Sequence, residues 1–192
     1  MTSKTVAIVL FADVLMLDVA GPIEVFSVAN RYLPESEHYR IVTLGADSLS
    51  VRASNGIVLQ ADQLALEAPV AYDTLLVPGG PGAYNDRHPH LYGWLRDAAQ
   101  ASRRHGAICT GAFILGEAGL LDGHRVTTHW HYLDRFAKRF PKAQLESDQL
   151  FTKDGNLHSS GGVTAGIDLA LSMLADDHGK KLALDVAKVL LV

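Results

Sequence analysis

The chain reads as an α/β protein: a mainly parallel sheet with helices on both faces, a three-layer sandwich. Three observations predict this. Short β-branched apolar runs of buried-strand length recur along the sequence. Segments with apolar residues at helical spacing lie between them. Glycine-rich or proline-rich punctuation ends several of the runs abruptly. Strands that alternate with helices imply crossover connections and hence parallel pairing.

The elements follow in order. Residues 5–11 (TVAIVLF) predict a first buried strand, and 17–30 a helix. Residues 39–44 predict a second strand ended by Gly45, and 54–59 a hairpin arm around the turn dipeptide Asn55-Gly56. Residues 73–77 form another buried strand, cut off by Pro78-Gly79-Gly80-Pro81-Gly82. A helix over 90–105 presents Leu91, Trp94, Leu95 and Ala98 on one face. A short strand over 106–108 leads into a helix over 110–118, closed by Gly119. Residues 126–128 are strand-like, and 132–140 form a helix stopped by Pro141. Residues 150–152 and 157–159 flank the turn signal Asp154-Gly155, and 163–174 and 181–192 complete the set as helices. The apolar stripe Leu182, Leu184, Val186, Val189, Leu190 and Val192 runs to the last residue. The expectation is one domain over 1–192, with the helix over 181–192 leading on to a further domain.

Composition narrows the function. The chain has 192 residues, 48% of them hydrophobic and 20% charged. That is globular rather than disordered or coiled-coil usage. No apolar run reaches the ~18 residues needed to cross a bilayer. The start, Met1-Thr2-Ser3-Lys4, leads straight into the first strand and lacks a signal-peptide core. A cytoplasmic setting is expected, with no membrane partner. Lys and Arg number 17 against 21 Asp and Glu, for a net charge of −4, and the cations are scattered. DNA binding relies on clustered cations, so this stretch does not grip DNA itself. The single cysteine, Cys109, excludes an internal disulfide and a Cys-rich zinc site.

Four places carry candidate chemistry. Ala107-Ile108-Cys109-Thr110-Gly111 sets the cysteine between a strand and a helix, with small residues two positions to either side. Small neighbours are what a nucleophile on a tight strand-to-helix turn requires. The helix N-terminus would then favour thiolate; the alternative is a buried cysteine acting as a small hydrophobe. The Gly79-Gly80 loop ends a buried strand, where backbone N–H groups can face a ligand oxygen like an oxyanion hole. It lacks a P-loop signature, and the alternative is a tight turn. Asp18 stands where a helix begins and reads as an N-cap. Glu24, among Ile23, Val25 and Phe26, offers a carboxyl that can share a proton with a cysteine or orient a substrate; the alternative is a solvent-facing glutamate. His129 in Thr127-Thr128-His129-Trp130-His131 follows a strand end, where it can act as a base toward Cys109; otherwise it bonds locally while Trp130 fills the core. No carboxylate or cysteine completes a metal set there, so neither metal nor cofactor is expected.

Taken together, DVAGPIEVF, LLVPGGPG, AICTGAFILGEAGLLDG, VTTHW and SSGGVTAGIDLAL resemble the DJ-1/PfpI superfamily over nearly the whole chain. The resemblance implies a flavodoxin-like sandwich of the glutamine-amidotransferase type. It also implies a nucleophile elbow at Cys109, a glutamate from the first helix at Glu24 touching it, and His129 nearby. Two branches look closest. In the amino-terminal domain of AraC-family transcription regulators, the pocket at Cys109 would bind a small metabolite in a homodimer, and DNA would be bound by a carboxyl-terminal domain absent from this chain. The pocket would be lined by Asp18, Glu24, Gly79, Gly80, Cys109, Thr110 and His129. In isonitrile hydratase, the proposed catalytic residues map to Asp18, Cys109 and Thr110, with Glu24 and His129 as further candidates. The intracellular-protease branch places His after the elbow cysteine, where this chain has Thr110, which argues against protease chemistry. A redox responder oxidised at Cys109 is a third reading; without a resolving cysteine it would not use an intrachain disulfide.

Overall fold

A computed structural model describes residues 4–85 and 88–192. The strand β1 (Lys4–Leu10) is buried from Val6 onward, so both its faces are covered. It is followed by α1 (Met16–Ala29), β2 (Tyr39–Gly45) and a small hairpin of β3 (Ser50–Arg52) and β4 (Val58–Gln60). Next come β5 (Gln63–Leu64), β6 (Thr74–Val77), α2 (Pro81–Asn85), α3 (Pro89–Ala101) and β7 (Arg104–Ile108). The second half holds α4 (Gly111–Glu117), β8 (Arg125–Val126), α5 (Leu133–Arg139), β9 (Gln144–Leu145), β10 (Phe151–Asp154), β11 (Leu157–Ser160), α6 (Ala165–His178) and α7 (Lys180–Leu190).

The main sheet has the order β10-β11-β7-β6-β1-β2-β5. Every pairing is parallel except β10 with β11, which is an antiparallel edge. Helices α1, α6 and α7 pack on one another, and α2, α3 and α4 form a second group. The fully buried β6 and β7 lie inside the sheet, with both faces covered. This is the expected mainly parallel α/β architecture.

Several boundaries differ from the sequence expectation. The helix over 90–105 stops at Ala101, and β7 begins at Arg104 rather than at residue 106. Arg104 and His105 look like helix-surface residues, but Arg104 is buried against Asp177 of α6, at 2.7 Å. That long-range ion pair overrides local pattern. The hairpin arms are 50–52 and 58–60, so Asn55-Gly56 is the turn and residues 54–57 are not strand. Of residues 126–128, only Val126 is strand, in a side pair with β9 outside the main sheet. Helix α2 starts on Pro81, where the expectation was loop; proline at a first helical position loses no hydrogen bond there. Helix α6 runs on to His178, and α7 ends at Leu190 rather than 192. Met1, Thr2 and Ser3 of the start motif lie outside the described residues. Among the described residues, no helix is long and apolar enough to cross a membrane.

Candidate ligand and catalytic site at Cys109

Cys109 connects β7 to α4 with φ of 57°, the left-handed region that costs a non-glycine residue about 1–2 kcal/mol. Two bonds hold it there and a third braces the segments that supply them. Its N–H donates to the Ser160 carbonyl at 2.9 Å, its carbonyl accepts from the Thr128 hydroxyl at 2.8 Å, and Thr127 N–H donates to Ser159 Oγ at 2.8 Å alongside. The VTTHW and SSGG motifs therefore brace the elbow. Gly111 is obligatory on its far side: a Cβ there would lie 2.1 Å from the Val77 carbonyl oxygen. The bend is thus built from both flanks, as the small-residue pattern predicts.

The sulfur sits on the wall of a cavity of about 190 Å³. Leu15, Gly80, Pro81, Tyr84, Thr110, His129, Tyr132 and Val163 complete the lining. Of the predicted site residues, Gly80, Cys109, Thr110 and His129 meet here. Gly79 and Asp18 stand behind the sulfur rather than on the wall.

Asp18 is not an N-cap. It is the third residue of α1, fully buried, while Leu15 occupies the cap position without a side-chain bond. Its Oδ2 accepts from Gly79 N–H at 2.9 Å, and its Oδ1 has no hydrogen bond of good geometry. The Cys109 thiol is the polar neighbour that stabilises the charged carboxylate. Burial nevertheless dominates and raises the Asp18 pKa to about 6.

Glu24 does not occupy the role that the resemblance implies. It is exposed on α1. Six residues at 3.6 per turn rotate it by roughly 240° from Asp18, away from the elbow. Asp18 is the carboxyl that reaches Cys109.

The expectation of a thiolate is also corrected. Burial, and then the Asp18 charge, push the Cys109 thiol up to about 12, against the opposing pull of the Thr110 N–H that faces the sulfur. The resting group is a thiol. The glycine loop is not an open oxyanion hole either. Gly79 N–H is taken by Asp18, Gly80 N–H donates to Thr110 Oγ1 at 2.9 Å, and the Thr110 hydroxyl donates back to the Gly80 carbonyl at 3.2 Å. These donors close the site; the Thr110 backbone N–H is the one aimed at the sulfur.

His129 lines the cavity, yet among the described residues no hydrogen bond joins it to Cys109. Its Nδ1 accepts from His131 N–H at 3.3 Å, which leaves Nε2 for a ligand. Partial burial, then the neighbouring His131, lower its pKa, so the ring is neutral at pH 7. Trp130 does not fill the core: it is 72% exposed. Sequence reasoning missed Leu15, Pro81, Tyr84, Tyr132 and Val163. Tyr84 carries no local signal, because only the unanticipated α2 turns it toward the cysteine.

Comparison with known proteins agrees with this geometry. The chain is 39% identical over 166 residues to the HTH-type transcriptional regulator CdhR of Pseudomonas aeruginosa, covering 86% of this chain and 48% of the regulator. The chain thus spans about half the length of that relative. It is 33% identical over 171 residues to isonitrile hydratase of Pseudomonas putida, covering 88% and 69% of the two chains. Among solved structures, an AraC family transcriptional regulator from Pseudomonas putida superposes with a TM-score of 0.86 at 26% identity, over 97% of this chain and 99% of that one. The family model for DJ-1/PfpI matches residues 4–176, which takes in both the elbow and the sheet that carries it. On that match and on the built elbow alike, the chain belongs to the DJ-1/PfpI family.

Proposed function

We propose that this chain is the sensory and dimerisation part of an AraC-type transcription regulator, acting in the cytoplasm as a homodimer. A small molecule in the Cys109 cavity would be the signal. DNA would be contacted by a helix-turn-helix domain carried on chain that follows α7. The observation that carries the reading is the resting state of the elbow. Its thiol is held protonated, and its loop donors are engaged inside the protein, so the cavity is organised to hold a guest rather than to attack one. Transcriptional regulators among the relatives support it. A ligand would act only through different affinities for two arrangements of the dimer.

The test is a thermal-shift screen of small metabolites against this protein and Val163→Phe, which narrows the cavity without touching the elbow. Saturable stabilisation of the parent that Val163→Phe abolishes supports the reading. No metabolite that separates the two proteins would overturn it.

One observation favours a second reading. The Asp18 carboxyl and the Cys109 thiol are close enough for each to shift the other's proton affinity, the arrangement that an isonitrile hydratase would need, and such an enzyme is a relative. The thiol would pass its proton to Asp18 while sulfur bonds to the terminal isonitrile carbon, and Asp18 would return that proton to the same carbon, giving a thioimidate whose nitrogen is protonated as water adds. Water would add to that carbon, and cleavage of the C–S bond would return the thiol and release an N-substituted formamide. Formamide formation from an alkyl isonitrile, absent in Cys109→Ala, would establish it; equal product in both would remove it.

A further inference from the structure

The cavity that holds Cys109 carries a feature that neither reading uses. Tyr84 of α2 and Tyr132, in the 3-10 turn ahead of α5, stack with ring centroids 4.4 Å apart. The Tyr132 hydroxyl donates to the Tyr84 hydroxyl at 2.7 Å. One phenol proton is thereby used, and the other, on Tyr84, is left over at the cavity. Behind the ring stand two guanidinium groups. Arg135 Nη2 donates to the Tyr84 carbonyl at 2.8 Å, and its Cζ lies 5.0 Å from the Tyr84 ring centroid. Arg139 is neutralised by Glu117 at 2.5 Å. Arg135 has no carboxylate partner among the described residues. The wall therefore offers a hydrogen-bond donor backed by a guanidinium that pairs with no carboxylate among the described residues. The one acid of the site, Asp18, lies behind the sulfur. The apolar part of the lining is Leu15, Pro81 and Val163, beside Gly80, Thr110 and His129. The volume equals that of about six liquid waters.

Resting on the ligand-pocket reading above, we propose that the Tyr84–Tyr132 pair, backed by Arg135, is the recognition wall for the carboxylate of a short-chain carboxylic acid. The acid's short apolar tail would lie along Leu15, Pro81 and Val163. A charged acceptor makes a stronger bond to a phenol than a neutral one, which is the source of discrimination. The neutral phenol persists across the physiological range.

The experiment measures the apparent Kd of butyrate, butyramide and butylammonium from the concentration dependence of Tm, with sodium chloride as the ionic-strength control. Butyrate is expected to stabilise saturably, and butyramide to bind about tenfold more weakly, as expected for loss of a charge-assisted bond. Tyr84→Phe should weaken butyrate about tenfold. Arg135→Gln should weaken it severalfold, with Arg135→Lys recovering part of the loss. Tyr132→Phe leaves the Tyr84 hydroxyl in place, so its effect is smaller than that of Tyr84→Phe, and it serves where Tyr84→Phe does not fold. Butyrate stabilisation no greater than that of chloride, or equal affinity in the parent and Tyr84→Phe, overturns the proposal. If the amide binds as well as the acid and Val163→Phe abolishes both, the carboxylate wall is rejected while the pocket reading stands.

Discussion

Replacing Asp18 by Asn tests the physical core of the site, the cost of holding a carboxylate behind the cysteine. In the folded protein the Asp18 pKa stands near 6, against an ordinary value of 3.8. Burial raises it, and the bond from Gly79 N–H offsets burial only in part. The native state thus binds more protons than the unfolded chain between pH 4 and 6, so stability falls as pH rises through that window. The full difference is worth about 3 kcal/mol above pH 6 and well under about 1 kcal/mol at pH 4. Asparagine keeps an oxygen for Gly79 N–H. It sets an amide N–H₂ where Oδ1 already lacks a partner, a penalty of about 1 kcal/mol at any pH. Asp18→Asn should therefore be more stable than the parent by about 2 kcal/mol at pH 7, and level with it or slightly less stable near pH 4. Urea unfolding of both proteins from pH 4 to 8 measures the difference. The buried histidines titrate alike in both and cancel, and Cys109 titrates outside the window. Stability curves that stay parallel across this range would refute a buried, proton-binding Asp18.

Cys109 should alkylate with iodoacetamide far more slowly than a free cysteine at pH 8, with a rate that climbs steadily to pH 10. Asp18→Asn should speed the reaction because it removes a repelling charge; a plateau near pH 8 by mass spectrometry would contradict the protonated thiol. Gly79→Ala should cost about 2–3 kcal/mol or more, since its Cβ would meet Thr110 N at 2.7 Å and Asp18 Oδ2 at 2.7 Å; a Tm unchanged from the parent would show that the loop yields freely. His105 is buried with neither ring nitrogen bonded, and burial, then the His124 charge, lower its pKa to about 4. Its contribution to stability is intact above the unfolded value near 6.5 and is lost as pH falls toward 4. His105→Leu should remove up to about 3 kcal/mol of that acid loss, and an unchanged acid limb in unfolding measurements would count against it.

Much of this molecule could be read before folding. Buried parallel strands announce themselves as unbroken β-branched runs, because both faces of such strands need apolar side chains. The elbow was legible at Cys109 because Ala107 and Gly111 leave it room, and a sharp bend demands small neighbours at fixed offsets. Those are local requirements, and local sequence expresses them. The parallel α/β class and the bend at Cys109 with its neighbour Thr110 were determined in this way, whereas the nearness of His129 was implied by the family resemblance. Which carboxyl meets the sulfur was decided only in three dimensions. Asp18 and Glu24 share one helix, and the helix's rotation against α6, β2 and the glycine loop sends one inward and the other to solvent. The thiol's protonation, the engagement of the Gly79 and Gly80 donors and the Tyr84–Tyr132 wall have the same origin. Each depends on burial and on partners distant in sequence, as in Tyr84 with Tyr132 and Asp18 with Gly79. Desolvation and hydrogen-bond pairing are properties of packed neighbours, and a linear pattern does not carry them.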